Sequence, residues 1–551
     1  MIKPIHIYSA IFIFILANSG CKKFIDTAPY STVSTEQFYK TAADAELALA
    51  GCYNVLNAKQ IQGTNLGTQG GLYFMQLQNM LTAGTDEAFA RVTSATNETQ
   101  LGQLSWDANT TYFRQVWFYF YAGIQRCNLL LDHLENIPDI SEARKTEIKG
   151  EARFLRGFYL LYLGMMFGGV PINTTSTPDL QAPRASVQQV FSQVIEDLQY
   201  AYDVLPPKAS IYDRANKWSA AGFLAKAYAF MGSCKQNNVN KNLDFPLNDF
   251  DWVDINDSYT KVKELTDSIV TYSGYKLTEN YSYLFRETTQ SSQDEECLFM
   301  AVGSTDPVNG NGVNMQNGFV PQGANATLGG GLARLVPLGE LFYKYHNKDP
   351  RRGNNLTQKL NASNPMEVAG GAQYYVPTAV TANSIKNNFF YYGGKFRMID
   401  PATKTVTLYL WTGNYPILRL AEIYLLRAEA TYMLTNDAAT ARADLYTVRQ
   451  RSIAPADMNT VNTAYAKSDF IEELLDERSR ELCFEAVRRF DLVRFGRYQS
   501  TINALSTDNS LSKNNTEASI LKQNFAPKHI WFPIPEPERI LNPSLIQNPK
   551  Y

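Results

Sequence analysis

Between Gln69 and Trp106 the chain interleaves flat apolar rings with planar hydrogen-bonding groups, in the order Tyr73, Phe74, Asp86, Glu87, Phe89, Arg91, Asn97 and Trp106. A sugar presents axial C–H faces and pairs of adjacent hydroxyls. A surface that holds one therefore needs a ring to stack on, beside a carboxylate, amide or guanidinium that reaches two hydroxyls. The same ring types also build cores, and sequence alone leaves both readings open for Tyr73, Phe74 and Trp106. Phe319 and Trp411, in later aromatic stretches, are similar candidates for ligand contact.

A second chemistry lies at the start of the chain. Residues 7–17, IYSAIFIFILA, follow Lys3 and His6 and run into Asn18-Ser19-Gly20-Cys21. The apolar run is too short to cross a bilayer as a helix, and the small residues after it suit a signal peptidase. Cys21 behind Gly and Ser is the acceptor pattern of bacterial lipoproteins, although Asn18 stands where such signals usually carry Leu. Acyl chains on that thiol would hold the mature chain to lipid, each buried CH₂ contributing roughly 0.8 kcal/mol.

Catalytic templates are scarce. No G-x-S-x-G, H-E-x-x-H or P-loop occurs, and Gly310-Asn311-Gly312 lacks the last glycine of a dinucleotide loop, with Met315 in its place. Asp476 with Arg480, and Glu485 with Arg489, have the i,i+4 spacing of helix-stabilising pairs, so this charged stretch reads as scaffold. Only His133, His346 and His529 follow the leader, none at metal-ligand spacing, so neither a metal nor a cofactor is expected. A pair of carboxylates working as in a glycosidase remains possible from sequence, because their separation is set in space.

Helix-period segments position these groups. Thr41 opens a run through Leu56; Phe113, Val116, Trp117, Phe120, Ile124, Cys127 and Leu131 trace one face of a second helix. Ser141 begins a third that Gly168-Gly169 and Pro171 stop, and Ser186 to Leu205 and Asn216 to Gly232 give two more. Trp218, Ala221, Gly222, Ala225 and Ala229 put small residues where a neighbour must approach closely, a partial echo of the tetratricopeptide pattern. From about 300 to 415 the texture turns to Gly, Asn and Pro with short aromatic runs, which predicts loops and short strands over a helical body. Helix resumes at Pro416, a charged helix spans Ser468 to about Phe490, and the Pro-rich end reads as extended.

The mature chain of 531 residues is long enough for one large core or several domains. Its formal charge of −2 gives no basic field for nucleic acid, so that partner is excluded. Cys52, Cys127, Cys234, Cys297 and Cys483 are odd in number and scattered, and read as buried thiols rather than a disulfide framework.

In order along the chain stand Cys21 with Phe24-Ile25-Asp26 and Pro29, WFYFYAGIQRCN (117–128), GEARFLRGFY (150–159) with FGGVP (167–171), and DPRR (349–352). RLAEIYLLRAEA (419–430), ERSRELCFEAVRRFDLVRFG (477–496), and FPIPEPE with NPSLIQNPKY follow. With these blocks the chain resembles the SusD/RagB family of outer-membrane nutrient-binding lipoproteins from end to end. The resemblance implies an all-α fold of four tetratricopeptide-like helix pairs with few short strands and a loop-rich ligand-binding face. It divides the chain into a signal peptide (1–20), a lipid-anchored tether (21–35), an N-terminal helical region (36–300), a loop-rich insertion (301–415) and a C-terminal helical region with its tail (416–551).

By the same resemblance the protein is not an enzyme. It captures oligosaccharides, or peptides in some members, outside the cell and passes them to a SusC-type TonB-dependent transporter, held in the outer membrane through Cys21. The transporter meets the helical half. Ligand contacts fall in the loop after the first helix, which here holds Asp86, Phe89, Arg91 and Asn97. The alternatives are a lipid-anchored glycoside hydrolase, a peptide-binding member, and a structural subunit that only gates its transporter.

Overall fold

Several of the long helices start where a short polar side chain can take a free amide of the first turn. Thr41 and Asp44 cap one another at the start of α1 (Ala42–Asn54); Ser141 caps α3 (Glu142–Phe167), Ser186 caps α4 (Val187–Val204) and Asn216 caps α5 (Lys217–Gln236). Between them α2 (Thr111–Leu134) forms on the predicted aromatic face, and α6 (Ile255–Tyr272) follows α5. The computed structural model describes residues 38–56, 71–73, 76–90, 96–211, 214–303, 333–367, 373–381, 392–396, 399–400, 405–406, 414–510 and 512–551.

The helices stack in succession: α1 on α2, α2 on α3, α3 on α4, α4 on α5 and α5 on α6. The stack then jumps to α7 (Leu420–Thr435), which packs on α6 and on α8 (Ala438–Gln450). This is a stack of helix pairs, mostly helical with few strands among the described residues. Small residues set the spacing, since a Cβ on Gly123 would meet the Tyr159 ring at 2.5 Å and one on Gly222 would meet Leu418 at 2.5 Å. Much of the chain's aromatic content is spent here, with Phe154, Phe158, Phe223 and Phe299 meeting edge to face. All five described cysteines are buried free thiols.

The strands pair antiparallel, and all but β4 are short. β1 (Ala88–Ala90) pairs with β3 (Leu335–Pro337), and β2 (Cys297–Ala301) with β9 (Tyr415–Arg419). β4 (Leu356–Glu367) lies between β5 (Gln373–Ala379) and β6 (Tyr392–Gly393), while β7 (Ile399–Asp400) pairs with β8 (Thr405–Val406). Residues 416–419, predicted to begin a helix, are thus strand, and α7 starts at Leu420.

The charged helix breaks in two, α9 (Phe470–Leu482) and α10 (Arg488–Arg494), with Phe484 and Ala486 at positive φ between them. Its carbonyls are taken by buried side chains instead of helix amides. Glu481 O accepts from Tyr281 Oη (2.9 Å), Lys395 Nζ (2.8 Å) and Arg419 Nη2 (2.8 Å), and Arg480 O accepts from Tyr345 Oη (2.8 Å). The i,i+4 pairs expected there do not form. Asp476 pairs with Lys467 (2.6 Å), Arg480 with Glu477 (2.8 Å) and Glu485 with Arg419 (2.8 Å), while Arg489 reaches the Tyr498 hydroxyl. The stretch is scaffold, but its charges tie distant segments together.

The C-terminal tail also departs from a purely extended course, since Glu536–Leu541 forms one short helix with Pro in its first turn. Arg184 pins the tail: Nε donates to Gly169 O (2.6 Å), Nη1 to Ile546 O (2.7 Å) and Nη2 to Asn548 Oδ1 (2.8 Å). Gly168 makes the turn at φ +79°, over Asn248, leaving no room for a side chain.

Around α9 the buried charges alternate in sign. Arg351 donates to Asp349, Glu477 (2.8 Å) and Glu481 (2.8 Å); Arg419 to Glu296 (2.9 Å), Glu481 (2.6 Å) and Glu485; Arg449 to Glu473 and Glu477; Arg451 to Glu296 (2.6 Å) and Glu481. Burial pushes the Glu477, Glu481 and Glu485 carboxyls upward, yet the surrounding guanidiniums overcome it and hold all three below the usual carboxylate range. Removing one partner strands the others, so Arg351→Met should cost about 3–5 kcal/mol in chemical denaturation.

The pH dependence follows with a definite sign. The unfolded carboxyls titrate near 4.5 and the folded ones lower, so their stabilisation is complete above that value. It is lost as pH falls through the folded range, and the thermal midpoint should drop steadily below about pH 4.5.

Candidate functional site

The structure moves two of the predicted contact residues inside. Asp86 is buried, with Oδ1 accepting from Arg488 Nε (2.7 Å) and Oδ2 from Arg488 Nη2 (2.7 Å) and Lys344 Nζ (2.6 Å). It lies in the wall of a hollow of about 390 Å³, with both of its oxygens already engaged by these donors. Its neighbour Glu87 takes Ser479 Oγ (3.2 Å) and Phe484 N (3.3 Å), and burial raises its carboxyl to about 7. Phe89 is 2% exposed in β1, where it pairs with Val336. These placements have one cause: residues 86–90, expected in a surface loop, are drawn into the body by strand pairing with β3 and by Arg488.

Asn97 is partly buried, and its Oδ1 accepts from Thr111 N (3.2 Å) at the start of α2. Tyr73 packs on Tyr415 and Trp106 donates to the Tyr551 hydroxyl (2.9 Å), so both are core. Arg91, Phe319, Trp411 and Cys21 lie outside the described residues. Because Phe89 and Asp86 are interior, Phe89→Ala should lower stability by about 3–5 kcal/mol. Asp86→Ala, which strands Arg488 and Lys344, should cost a similar amount. Both are read from denaturation midpoints.

An open cleft of about 800 Å³ lies elsewhere, between residues 278–286, residues 350–354 in and after DPRR, and Arg451-Ser452. Asn280 organises its lip, accepting from Ser282 N (3.0 Å) and Ser282 Oγ (2.8 Å) to start the 3₁₀ turn Tyr281–Phe285. The turn projects Tyr283, 37% exposed, with the Arg286 guanidinium 5.7 Å from its ring centre. Tyr281 points the other way, its hydroxyl on Glu481 O and its ring 5.0 Å from the Arg451 guanidinium. Two tyrosines of one turn thus serve the surface and the interior.

The floor of the cleft is the roof of the ion cluster, because Arg351 and Arg451 line the one and belong to the other. Arg451 Nε and Ser452 Oγ have no hydrogen-bond partner among the described residues. Around them stand Thr278, Glu279, Asn280, Ser292 and Asn354. A half-exposed ring framed by amides, hydroxyls and a guanidinium can stack on a pyranose face and reach its hydroxyls. Sequence reasoning passed over NYSYLF at 280–285, although its Asn-x-Ser turn beside two tyrosines was the available signal. Among the described residues no group of three or more His, Cys, Asp or Glu is placed to hold a metal ion.

Scaffold and cleft together define a stack of helix pairs that carries a polar, aromatic-lipped hollow on its loop side. Comparison with known proteins gives this class a family. Residues 336–551 match the model of the SusD family, and residues 23–229 match one described as starch-binding, associating with outer membrane. The chain is 22% identical to the starch-binding protein SusD of Bacteroides thetaiotaomicron, over 89% of this chain and 90% of that one. A solved SusD homologue from the same organism superposes with a TM-score of 0.72 at 22% identity, covering 95% of this chain and 99% of the other. A laminarin-binding SusD-like protein superposes with a TM-score of 0.64 at 23% identity, covering 93% and 100%. The chain belongs to the SusD/RagB family.

Proposed function

We propose that this protein is a non-catalytic glycan-binding lipoprotein of the outer membrane, and that the Tyr283 cleft is where the glycan sits. The observation that carries the reading is the exposed Tyr283 ring beside the Arg286 guanidinium, above a polar floor. Relatives named for starch and laminarin binding support the ligand class. The outer-membrane description of the matching family supports the location. Cys21 carries the lipid, the chain faces the cell exterior, and the captured oligosaccharide passes to a SusC-type TonB-dependent transporter.

Binding is by stacking and hydrogen bonding, without bond cleavage. Glu279 and Glu295, the carboxylates on the cleft, stand exposed in water, whereas glycoside hydrolysis needs a desolvated acid to deliver its proton. Calorimetry against a panel of starch, laminarin and other glycans, with product analysis alongside, tests the reading on a chain starting at Lys22, which keeps every described residue. Saturable binding without new reducing ends is expected. Cleavage in proportion to protein would make it a hydrolase, and binding of peptides alone would change the cargo class. Tyr283→Ala should weaken glycan binding about three- to tenfold with the melting temperature unchanged.

A further inference from the structure

A second concavity, of about 720 Å³, lies on the far side of the wall that bounds the cleft. That wall is the extended segment 275–280 held against 292–296. Lys276 N donates to Glu295 O (2.7 Å), Thr278 Oγ1 to Ser292 O (3.0 Å) and Thr278 N to Glu296 Oε2 (2.9 Å). Glu295 lines both hollows. The second groove has the apolar strand β2 as its floor, Tyr275 on its side and Ile211, 42% exposed, at its rim.

Tyr275 is partly buried, and Asn216 Nδ2 donates to its hydroxyl (2.9 Å), which fixes the ring. The groove therefore repeats the offer of the first cleft, a positioned ring beside hydrogen-bonding groups. Its charges nearly balance, since Lys208, Arg214 and Lys276 share it with Asp294 and Glu295, and Arg214 is paired with Glu151 (3.2 Å). That balance suits an uncharged chain rather than a polyanion.

We propose that cleft and groove are one track for a single extended, neutral glycan, so that the protein selects polymer fragments long enough to cross the wall. The proposal rests on the reading of the Tyr283 cleft as a glycan site. A long chain that fills the first cleft presents its next sugars to the groove at high effective concentration, and affinity rises without any change in the first contact. A short chain fills one hollow and gains nothing from the other.

The test is calorimetry of the full chain in a sugar-free detergent, with starch-derived and laminarin-derived oligosaccharides from trisaccharide to decasaccharide. Tyr275→Ala and Ile211→Asp are compared with the wild type, the second because an exposed rim residue can change without disturbing packing. Affinity should rise with length, and both variants should lose about three- to tenfold on the decasaccharide while holding the trisaccharide unchanged. Affinity independent of length, or variants that bind the decasaccharide like the wild type, would overturn the track and leave the cleft standing. Trisaccharide binding that Tyr283→Ala does not weaken would overturn the cleft reading instead, and binding of no probe at any length would overturn both.

Discussion

A buried lattice of alternating charges joins segments that lie far apart in the chain. Glu296 follows the cleft lip, Asp349 and Arg351 form the DPRR turn, Arg419 ends β9, Arg449 and Arg451 end α8, and Glu477, Glu481 and Glu485 come from α9 and the break after it. Taking so many ions out of water is expensive, and an apolar core of equal volume would be as stable or more so. What the lattice supplies is register. Each guanidinium has fixed directions and meets more than one carboxylate, so a segment shifted by one residue would leave an ion unpaired in the interior.

The binding face inherits that register. Tyr281 gives its hydroxyl to the carbonyl of Glu481, which fixes the turn that exposes Tyr283 two residues later. Arg351 and Arg451 reach the cleft floor as members of the same lattice. A ligand surface on loops is thus supported from beneath by ionic contacts, while the helix pairs behind it hold together by ring packing and by glycines at close crossings. The division of labour explains a composition rich in aromatic residues with a net charge near zero.

Local signals were legible in the sequence where the physics is local. Thr41, Ser141, Ser186 and Asn216 marked helix starts because a cap satisfies its own neighbours' amides. Gly168 marked an end because few other residues tolerate its φ. The break between α9 and α10 was not legible, since the donors that take the carbonyls of Arg480 and Glu481 come from residues 281, 345, 395 and 419. Asp86 and Phe89 misled for the same reason, because a carboxylate and a ring in a stretch without helical period look alike whether Arg488 and β3 cover them or water does. The cleft draws on three separated segments, so no spacing rule could assemble it.

Hydrogen exchange of the backbone, with and without a saturating oligosaccharide, bears most directly on whether the surface above the ion lattice is the one that holds glycan. Amides of residues 278–286 and 350–354 should exchange more slowly in the bound state, with the helix pairs unchanged. Unaltered exchange across those segments, with slowing confined to another part of the molecule, would contradict the placement.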